Sequence, residues 1–368
     1  MSNFSAHFPL LLICIALSWS GTGLIRRYAG ERWLDQPGWR RSHTRSTPRA
    51  GGFAFVVVWL MALVWLIRTD QLYLASVSGL AGGVIIIALG GLLDDRFELA
   101  PRYKLTFQTL GAAWFVYASG FPRELDIGFV LLPLGVLQVP LALVGFISMT
   151  NVYNFMDGSH GLAALQALFV TAVLSGVFLY HGDTELAWVA LILFAYMLGF
   201  LPWNFPHGRI FMGDVGSGAL GFVLAGLVVL GAHRGALPML VGAMLLGVFL
   251  LDAATTLIHR WSAGRRWYTP HREHLYQVLI RGGWSHRRVA LAFSLVNVLV
   301  ALPMALIAMR WPPMMLPLMA GFAVSFTIVW RYVRVNFRDQ KRASSCREQE
   351  YGMGNRANQR LGSPMCRA

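Results

Sequence analysis

The stretch SGLAGGVIIIALGGLLDDRFELAPRYK (78–104) decides the fold of this chain. It begins with an uninterrupted apolar run, long enough for a helix that crosses the hydrocarbon core of a membrane. The run ends on two adjacent acids, Asp94 and Asp95, and a second apolar run begins at Lys104. The pattern predicts two membrane helices joined by a short polar turn, with the acids at the membrane face.

The same alternation of apolar runs and short polar turns extends over the whole chain. Its 368 residues are 56% hydrophobic and only 13% charged, with a mean hydropathy of +0.54. A soluble domain carries about 25% charged residues, so this composition excludes one. We therefore expect an all-α polytopic membrane protein with 10–11 transmembrane helices. Eleven apolar segments are present, at 8–25, 51–67, 73–93, 104–119, 129–149, 161–180, 186–201, 215–232, 237–258, 288–309 and 313–333.

Prolines complicate one of these segments. Pro133 and Pro140 interrupt 129–149, which predicts either one kinked helix or a half-helix followed by a span. The chain divides into an integral membrane domain, 1–334, and a tail, 335–368. The tail is polar, basic and without apolar periodicity, so we expect it to be disordered in the cytoplasm.

Basic residues set the orientation. With the N-terminus outside, all but four of the 31 Lys and Arg residues lie on the cytoplasmic side, and the exceptions are Arg68, Arg123, Arg234 and Arg310. The net charge of +14 is therefore explained by topology, and we expect no nucleic-acid partner. Four polar strings fall on the same cytoplasmic face, which predicts an active site there.

The first string contains the acid pair. Two ionised carboxylates at a helix C-terminus, Asp94 and Asp95, oppose each other and the helix dipole unless a cation relieves the cost. Consecutive helix positions lie about 100° apart. We therefore expect one acid to serve metal or proton chemistry and the other to meet a basic partner; a solvated helix end is the alternative. Lys104 is either a membrane anchor or a phosphate ligand.

The second string, NVYNFMDGSHGLA (151–163), places Asn151, Asn154 and Asp157 near one face of a helix. Amide oxygens and a carboxylate suit a hard cation or the edge of a uracil. An ordinary loop with turn residues is the alternative.

The third string, GRIFMGDVGSGALG (208–221), has the composition of an anion site before a helix. Its glycines permit close approach of the backbone, Ser217 can cap, and the helix presents its positive end. Asp214 is a candidate Mg²⁺ ligand beside a diphosphate. Gly-rich packing between helices is the alternative.

The fourth string, TPHREHLYQ (269–277), brings His271, Arg272 and His274 together. Arg beside His favours a phosphate clamp over a zinc site, which would need more ligands. A basic loop set by topology is the alternative. Asp252, at the end of a helix on the same side, has no assigned role.

Together the strings resemble the polyprenyl-phosphate N-acetylhexosamine-1-phosphate transferases, in particular the bacterial members that initiate O-antigen or capsule units (glycosyltransferase family 4 type). The resemblance covers about residues 20–290 and includes the first loop, LDQPGWRRSHTRSTPRAGG (34–52).

The resemblance implies transfer of N-acetylhexosamine-1-phosphate from a UDP-sugar to polyprenyl (undecaprenyl) phosphate, with release of UMP. It implies Mg²⁺ as cofactor, with Mn²⁺ as a substitute, and the bacterial inner membrane as location. A homodimer is compatible with it. By the same resemblance Asp94 and Asp95 are catalytic, and Asp214 with Asn154 holds the metal. The implied substrate-binding residues are Lys104, Asn151, Asp157, His160, His271, Arg272 and His274.

Two positions depart from the family pattern. His160 stands where relatives carry a second Asp after Asp157-Gly158, so we expect it to contact uracil or ribose through a ring nitrogen, or else to face solvent. The acid string is DDRFE rather than a strict DDxxD.

Two other classes of protein fit the sequence less well. A membrane prenyltransferase that uses a lipid diphosphate should show a second Asp-rich motif, which is absent from the sequence. A secondary transporter should carry acids in the middle of its spans, whereas here they lie at helix ends. Which amino sugar is transferred is left open.

Overall fold

The computed structural model describes residues 7–28, 34–35, 47–49, 51–266, 269 and 271–354. In these residues the chain is almost entirely helical. The helices are α1 Phe8–Tyr28, α2 Gly51–Arg68, α3 Leu74–Phe97, α4 Pro101–Ser119, α5 Gln138–Met156, α6 Leu162–Tyr180, α7 Thr184–Asn204, α8 Gly213–His233, α9 Met239–Leu245, α10 Gly247–Ser262, α11 Leu275–Arg281, α12 His286–Val296, α13 Leu302–Arg310 and α14 Met315–Gly354. Strands β1 Leu34–Asp35 and β2 Thr47–Pro48 pair antiparallel, as do β3 Glu124–Asp126 and β4 Leu131–Pro133.

The helices confirm an all-α polytopic membrane protein. Among the described residues, nine helical segments are long and apolar enough to cross a membrane, and α9 with α10 makes a tenth if counted as one span. Counted in this way, the described residues contain ten spans, at the lower end of the expected 10–11. The remaining apolar run, 104–119, forms α4, which lies outside this count. This helix is long enough, but Arg102, Lys104 and Gln108 make its first turns polar.

The segment with the two prolines is neither one kinked helix nor a half-helix followed by a span, because a β-hairpin precedes the span. The β3–β4 hairpin occupies the region around Pro133, and α5 begins only after it. Pro140 lies in the first turn of α5, where its missing N–H costs no helical hydrogen bond. The helix then continues to Met156, so Asn151 and Asn154 lie on its last turns.

A broken helix lies beside the bundle. α9 and α10 meet at an angle of 82° around Leu246. The carbonyl of Leu245, freed by the break, accepts a hydrogen bond of 2.9 Å from Gln166 Nε2 of α6. Gln166 Oε1 in turn accepts from Asn297, in the single π-helical turn between α12 and α13. All three residues are buried, so the break is satisfied internally, as the interior of a membrane protein requires.

α8 is the centre of the bundle. Its residues from Val215 to Gly231 are all buried, with α2, α3, α5, α6 and α7 packed around it. Its first turn lies against the start of α2, where a Cβ added to Gly52 would come within 2.2 Å of Gly216 Cα. The Gly52 amide donates to Met212 O at 2.7 Å. Glycine at both positions is thus what lets the two backbones touch.

The first loop and the C-terminal tail lie partly outside the described residues. Most of the 34–52 loop lies outside them, apart from 34–35, 47–49 and 51–52. The last helix, α14, continues to Gly354, past the tail boundary expected at residue 335. The prediction of a disordered cytoplasmic tail stays a prediction. Residues 355–368 lie outside the described part.

Candidate active site

The adjacent acids at the end of α3 face different neighbours. Both side chains are buried. Asp94 points toward α4, where its Oδ2 pairs with the Lys104 ammonium and its Oδ1 accepts from the Leu99 amide at 2.8 Å. α3 ends at Glu98, whose φ of 50° is left-handed, and α4 starts at Pro101. This tight turn brings Lys104 back over Asp94.

Asp95 caps the first turn of α8. Its two carboxylate oxygens accept from the amides of Asp214 and Val215, both at 3.2 Å. Arg49 lies on its other side, with Nε 3.7 Å from Oδ1 and a hydrogen bond of 2.6 Å to the Asp95 carbonyl. The positive end of α8 is therefore occupied by a carboxylate of the protein itself. This differs from the expectation that the end would be open to a substrate anion and that Ser217 would cap it.

Asp214 faces Asp94 across Lys104. The Lys104 Nζ atom lies 3.1 Å from Asp214 Oδ2 while it also contacts Asp94. Two carboxylates from α3 and α8 thus share one cation, supplied by α4. About a third of the Asp214 side chain and somewhat more of Lys104 remain exposed, so the group is reachable from water.

The end of α5 supplies amides to the same place. Asn154 Nδ2 donates to Ser217 Oγ at 3.1 Å, and its side chain also hydrogen-bonds to Asp214. Ser217 Oγ donates to Gly213 O at 2.9 Å instead of capping the helix. Asn151 exchanges two hydrogen bonds with Gln108 of α4, at 2.8 and 3.2 Å. This reciprocal pair fixes the orientation of both amides.

These groups line one cleft between α3, α4, α5 and α8. Five predicted residues line it, namely Asp94, Lys104, Asn151, Asn154 and Asp214. Gln108 and Thr150 line it too, and its floor is apolar. The floor consists of Ile87, Gly90, Gly91, Phe107 and Gly218. The cleft therefore joins a charged rim to an apolar base.

Asp252 anchors the basic loop that joins α10 to α11. This carboxylate, fully buried on α10, accepts from the Leu275 amide at 2.7 Å and from Thr256 Oγ1 at 3.3 Å, and it lies 3.7 Å from His274 Nδ1. The buried His274 ring lies 5.9 Å from the ring of Phe155 on α5. Asp252 thus sets the start of α11 and the place of His274.

Tyr276 ties the same loop to the end of α5. Its hydroxyl donates to the Phe155 carbonyl at 2.8 Å and accepts from Gln277. Since Phe155 follows Asn154, the basic loop lies next to the rim of the cleft. His271, Arg272 and His274 do not line the cleft itself.

Glu273 is the centre of an ion cluster within this loop. It pairs with Arg260, with Arg265 at 2.8 Å and with Arg334 of α14 at 2.8 Å. Burial alone would raise the pKa of Glu273, but the hydrogen bond from Arg334 and the charges of Arg265 and Arg334 lower it to about 2. The pKa of His271 is lowered from 6.5 to about 4 by burial and by neighbouring His274 and Arg260.

Asp157 and His160 lie apart from the cleft. Asp157 ends α5 and is half-buried near Tyr276. The His160 ring stacks on that of His286, with centroids 4.1 Å apart, and its Nδ1 lies 3.3 Å from Pro206 O. Gly208 approaches the His160 ring so closely that a Cβ there would come within 2.3 Å.

A divalent cation fits the donor set of the cleft. The part of the chain that the structure describes contains no group of three or more His, Cys, Asp and Glu side chains that could hold a metal. Asp94, Asp214 and Asn154 are nevertheless hard oxygen donors, which Mg²⁺ prefers. That a lysine ammonium already lies between the two carboxylates shows that the position suits a cation. Asn154 would have to turn its amide over to present oxygen rather than nitrogen.

Several residues of the site escaped the sequence reasoning. Gln108 and Thr150 carried no motif, although Gln108 lies one helical turn after Lys104 and could have been found from that spacing. Arg49 lies in the quoted first loop, but its pairing with Asp95 depends on tertiary structure.

Comparison with known proteins gives the family of this chain. A family model described as glycosyl transferase family 4 matches residues 77–232. A probable undecaprenyl-phosphate N-acetylglucosaminyl 1-phosphate transferase of Bacillus subtilis (strain 168) is 30% identical over 270 residues, which cover 72% of this chain and 74% of the relative. A decaprenyl-phosphate N-acetylglucosaminephosphotransferase of Mycobacterium tuberculosis (strain ATCC 25618 / H37Rv) is 30% identical over 320 residues, 77% of this chain and 78% of the relative.

A third relative is named for a different activity. The phospho-N-acetylmuramoyl-pentapeptide-transferase of Synechococcus sp. (strain JA-2-3B'a(2-13)) is 32% identical over 325 residues, 79% of this chain and 91% of the relative. Fold and site together define a multi-pass membrane protein with an acidic centre at one end of its helices. The chain belongs to glycosyl transferase family 4.

Proposed function

We propose that this protein transfers N-acetylhexosamine-1-phosphate from a UDP-sugar to polyprenyl phosphate, releases UMP and so initiates a lipid-linked surface polysaccharide unit. The reaction would take place at the cytoplasmic face of the bacterial inner membrane. The names of the relatives support the class of reaction. The positive-inside charge distribution supports the side.

The observation that carries the proposal is the Lys104-bridged pair of Asp94 and Asp214 at the rim of a cleft with an apolar floor. Acids, an ammonium and amides at one end of membrane helices suit a substrate that is lipid on one side and phosphate on the other. A prenyltransferase or a transporter would not need this grouping at the ends of α3, α4, α5 and α8.

The chemistry is phosphoryl transfer. An oxygen of the lipid phosphate attacks the β-phosphorus of the UDP-sugar, the bond from that phosphorus to the bridging oxygen breaks, and UMP leaves with the bridging oxygen. Asp94 would orient the lipid phosphate and accept its proton, and Lys104 would offset the charge of the diphosphate. Positioning and electrostatics carry most of the rate enhancement in such reactions.

A divalent cation, Mg²⁺ with Mn²⁺ as a substitute, would be held by Asp214 and Asn154 and, when bound, would neutralise the diphosphate and stabilise the leaving UMP. Arg272, which follows His271 in the basic loop beside the end of α5, would bind phosphate or sugar. Asp157 would stand on the nucleotide side. His160 contacts His286 and Pro206, and it would act there by holding the turn between α5 and α6 in position.

The test is an assay of membranes that contain the protein, with a panel of UDP-sugars and polyprenyl phosphate. The panel includes UDP-GlcNAc, UDP-GalNAc, UDP-linked 6-deoxy amino sugars and UDP-linked N-acetylmuramoyl-pentapeptide. We expect UMP and a lipid-diphosphate sugar to form in equal amounts from one of the N-acetylhexosamines, and EDTA to stop the reaction. Asp214→Asn should abolish turnover in protein that is correctly inserted.

The panel also separates the alternatives. Turnover only with the muramoyl-pentapeptide donor would give the protein the activity for which the Synechococcus relative is named. Release of inorganic diphosphate from a prenyl diphosphate, without UMP, would make it a prenyltransferase. Full activity of Asp214→Asn or in excess EDTA would contradict the site assignment.

A further inference from the structure

The position of Lys104 has a consequence for metal binding. Its ammonium contacts Asp94 Oδ2 and lies 3.1 Å from Asp214 Oδ2. Among the described residues Lys104 is the lysine that lines the cleft, and it lies between the two carboxylates of that lining, Asp94 and Asp214. Asp95 is not in the lining, and its carboxylate is held by Arg49 and the first amides of α8.

A divalent cation and the Lys104 ammonium would repel each other if both were bound to Asp214 Oδ2. Oxygen ligands of Mg²⁺ lie about 2.1 Å from the ion, and Lys104 Nζ lies 3.1 Å from Asp214 Oδ2. A dication on this oxygen would therefore be only a few ångströms from the Lys104 nitrogen, and like charges that close repel in a site partly shielded from water. We therefore expect the ammonium and the dication to compete for Asp214.

Resting on the proposed function, we propose that Lys104 is a built-in competitor of the divalent cation. It neutralises Asp94 and Asp214 when no metal is bound, and it sets how tightly the metal binds. The carboxylates are thus held together before metal and substrate arrive, and the metal affinity is lower than the same carboxylates would have without the lysine. A weaker metal site lets the ion and product depart after each turnover.

The probe is Mn²⁺ alone, measured on the full-length protein in detergent without substrates. Titration followed by the electron paramagnetic resonance signal of free Mn²⁺ gives its Kd. We expect Lys104→Met, which keeps the side-chain length and loses the charge, to lower the Kd about tenfold or more. Lys104→Arg, which keeps the charge, should stay within about threefold of wild type.

Arg102→Met is the matched control. Arg102 lies on the same turn of α4, where it is exposed and its guanidinium lies 4.9 Å from the centre of the Tyr103 ring. The substitution therefore removes one positive charge that contacts neither acid. It should leave the Kd within about twofold. In an Asp214→Asn background Mn²⁺ binding should weaken at least tenfold, and Lys104→Met should no longer strengthen it.

A Kd that Lys104→Met leaves unchanged or raises, in protein with the wild-type melting temperature, overturns the inference. If Lys104→Met does not fold, Lys104→Gln takes its place in the same comparison. If wild type turns over a UDP-sugar but Lys104→Met has the wild-type Kd for Mn²⁺, the competition is wrong and the proposed function stands. If Lys104→Met binds Mn²⁺ more tightly but wild type turns over no UDP-sugar, the competition stands and the proposed function is wrong. No Mn²⁺ binding by wild type or Lys104→Met would overturn the competition and the metal assignment together.

Discussion

At the residue scale, Asp94 and Asp95 are adjacent but have separate tasks. Because neighbouring side chains on a helix diverge by about 100°, Asp94 meets Lys104 while Asp95 meets the start of α8 and Arg49. A carboxylate at the positive end of a helix stabilises it by up to about 2 kcal/mol when it is partly buried. Asp95 therefore supports the structure that presents Asp214, and Asp94 faces the cleft.

Substitution of the two acids by asparagine should separate these tasks. Asp95→Asn puts an amide N–H against the amides of α8 and leaves a buried donor unpaired, so we expect a loss of about 1–3 kcal/mol in unfolding free energy. Asp94→Asn keeps the acceptor for Leu99 and should leave thermal stability nearly unchanged while it lowers turnover about 100-fold or more. The measurements are melting temperature in detergent and UMP release. A destabilised Asp94→Asn beside a stable Asp95→Asn would reverse the assignment.

That the two acids face different neighbours was predictable from the sequence, but which neighbour each acid meets was not, and both of them meet a base. The spacing on the helix predicts that one acid meets a base and the other serves chemistry. Which of them faces α8 depends on the rotation of α3 in the bundle, which no local pattern encodes. Asp252 shows the same limit, since its partner, the Leu275 amide, lies across a loop whose path the sequence did not reveal.

At the scale of elements, the basic loop between α10 and α11 is held by charge. Glu273 joins Arg260 and Arg265 of one side to Arg334 of the last helix, and Arg334 also lies over the ring of Trp330 at 4.3 Å. The loop is thereby fixed to α14 as well as to α5.

The stability of this loop should depend on pH through His271. Its pKa is about 4 in the folded protein and 6.5 when unshielded, so the unfolded chain binds the proton more readily between these values. Stability should be complete above about pH 6.5 and fall as the pH drops toward 4. The slope should be shallower than the about 1.4 kcal/mol per pH unit of one fully shielded proton, because the ring is partly exposed. Melting curves of wild type and His271→Gln at pH 4–7 test this.

The charged groups around His271 are unchanged in His271→Gln, so the variant serves as the control. His274 and Arg260 disfavour the His271 proton, while Glu273 and Asp252 favour it, and all four remain in His271→Gln. The variant should lose less stability than wild type over this range. Parallel curves would show that His271 is not the group that titrates.

Elements were predicted well where apolar runs were long and poorly where they were short. Ten of the helices that cross or enter the bundle follow runs visible in the sequence, because a membrane span must be apolar along its length. The β3–β4 hairpin was missed since its apolar residues continue directly into α5 without a polar break. The break at Leu246 was missed because it is satisfied by Gln166 from another helix.

At the scale of the molecule, the distribution of basic residues fixes the expected orientation. In the topology predicted from the sequence, the four basic residues expected on the face opposite the cleft are Arg68, Arg123, Arg234 and Arg310. Arg234 is itself neutralised there by Asp183 and Glu185, both at 3.0 Å. The remaining imbalance favours the cleft on the cytoplasmic side.

Labelling of single cysteines tests this orientation. In a background with Cys14, Cys346 and Cys366 replaced by Ser, Thr184→Cys and Ser262→Cys place exposed thiols on opposite faces. A maleimide that does not cross membranes should label Thr184→Cys in intact cells. It should label Ser262→Cys only after lysis. The reverse pattern would put the cleft outside, where no UDP-sugar is supplied.

The central position of α8 has a consequence for how the protein tolerates mutation. α1 is buried on a minor part of its surface, whereas α8 is buried nearly all round. A saturation scan of α1 should therefore show tolerance that rises and falls with the helical repeat, as lipid-facing and protein-facing positions alternate. The scan of α8 should show no such rhythm and low tolerance throughout. Asp214 is thus carried by the helix with the least freedom to drift in sequence, and a lineage that changes its substrate would have to do so through the surrounding loops.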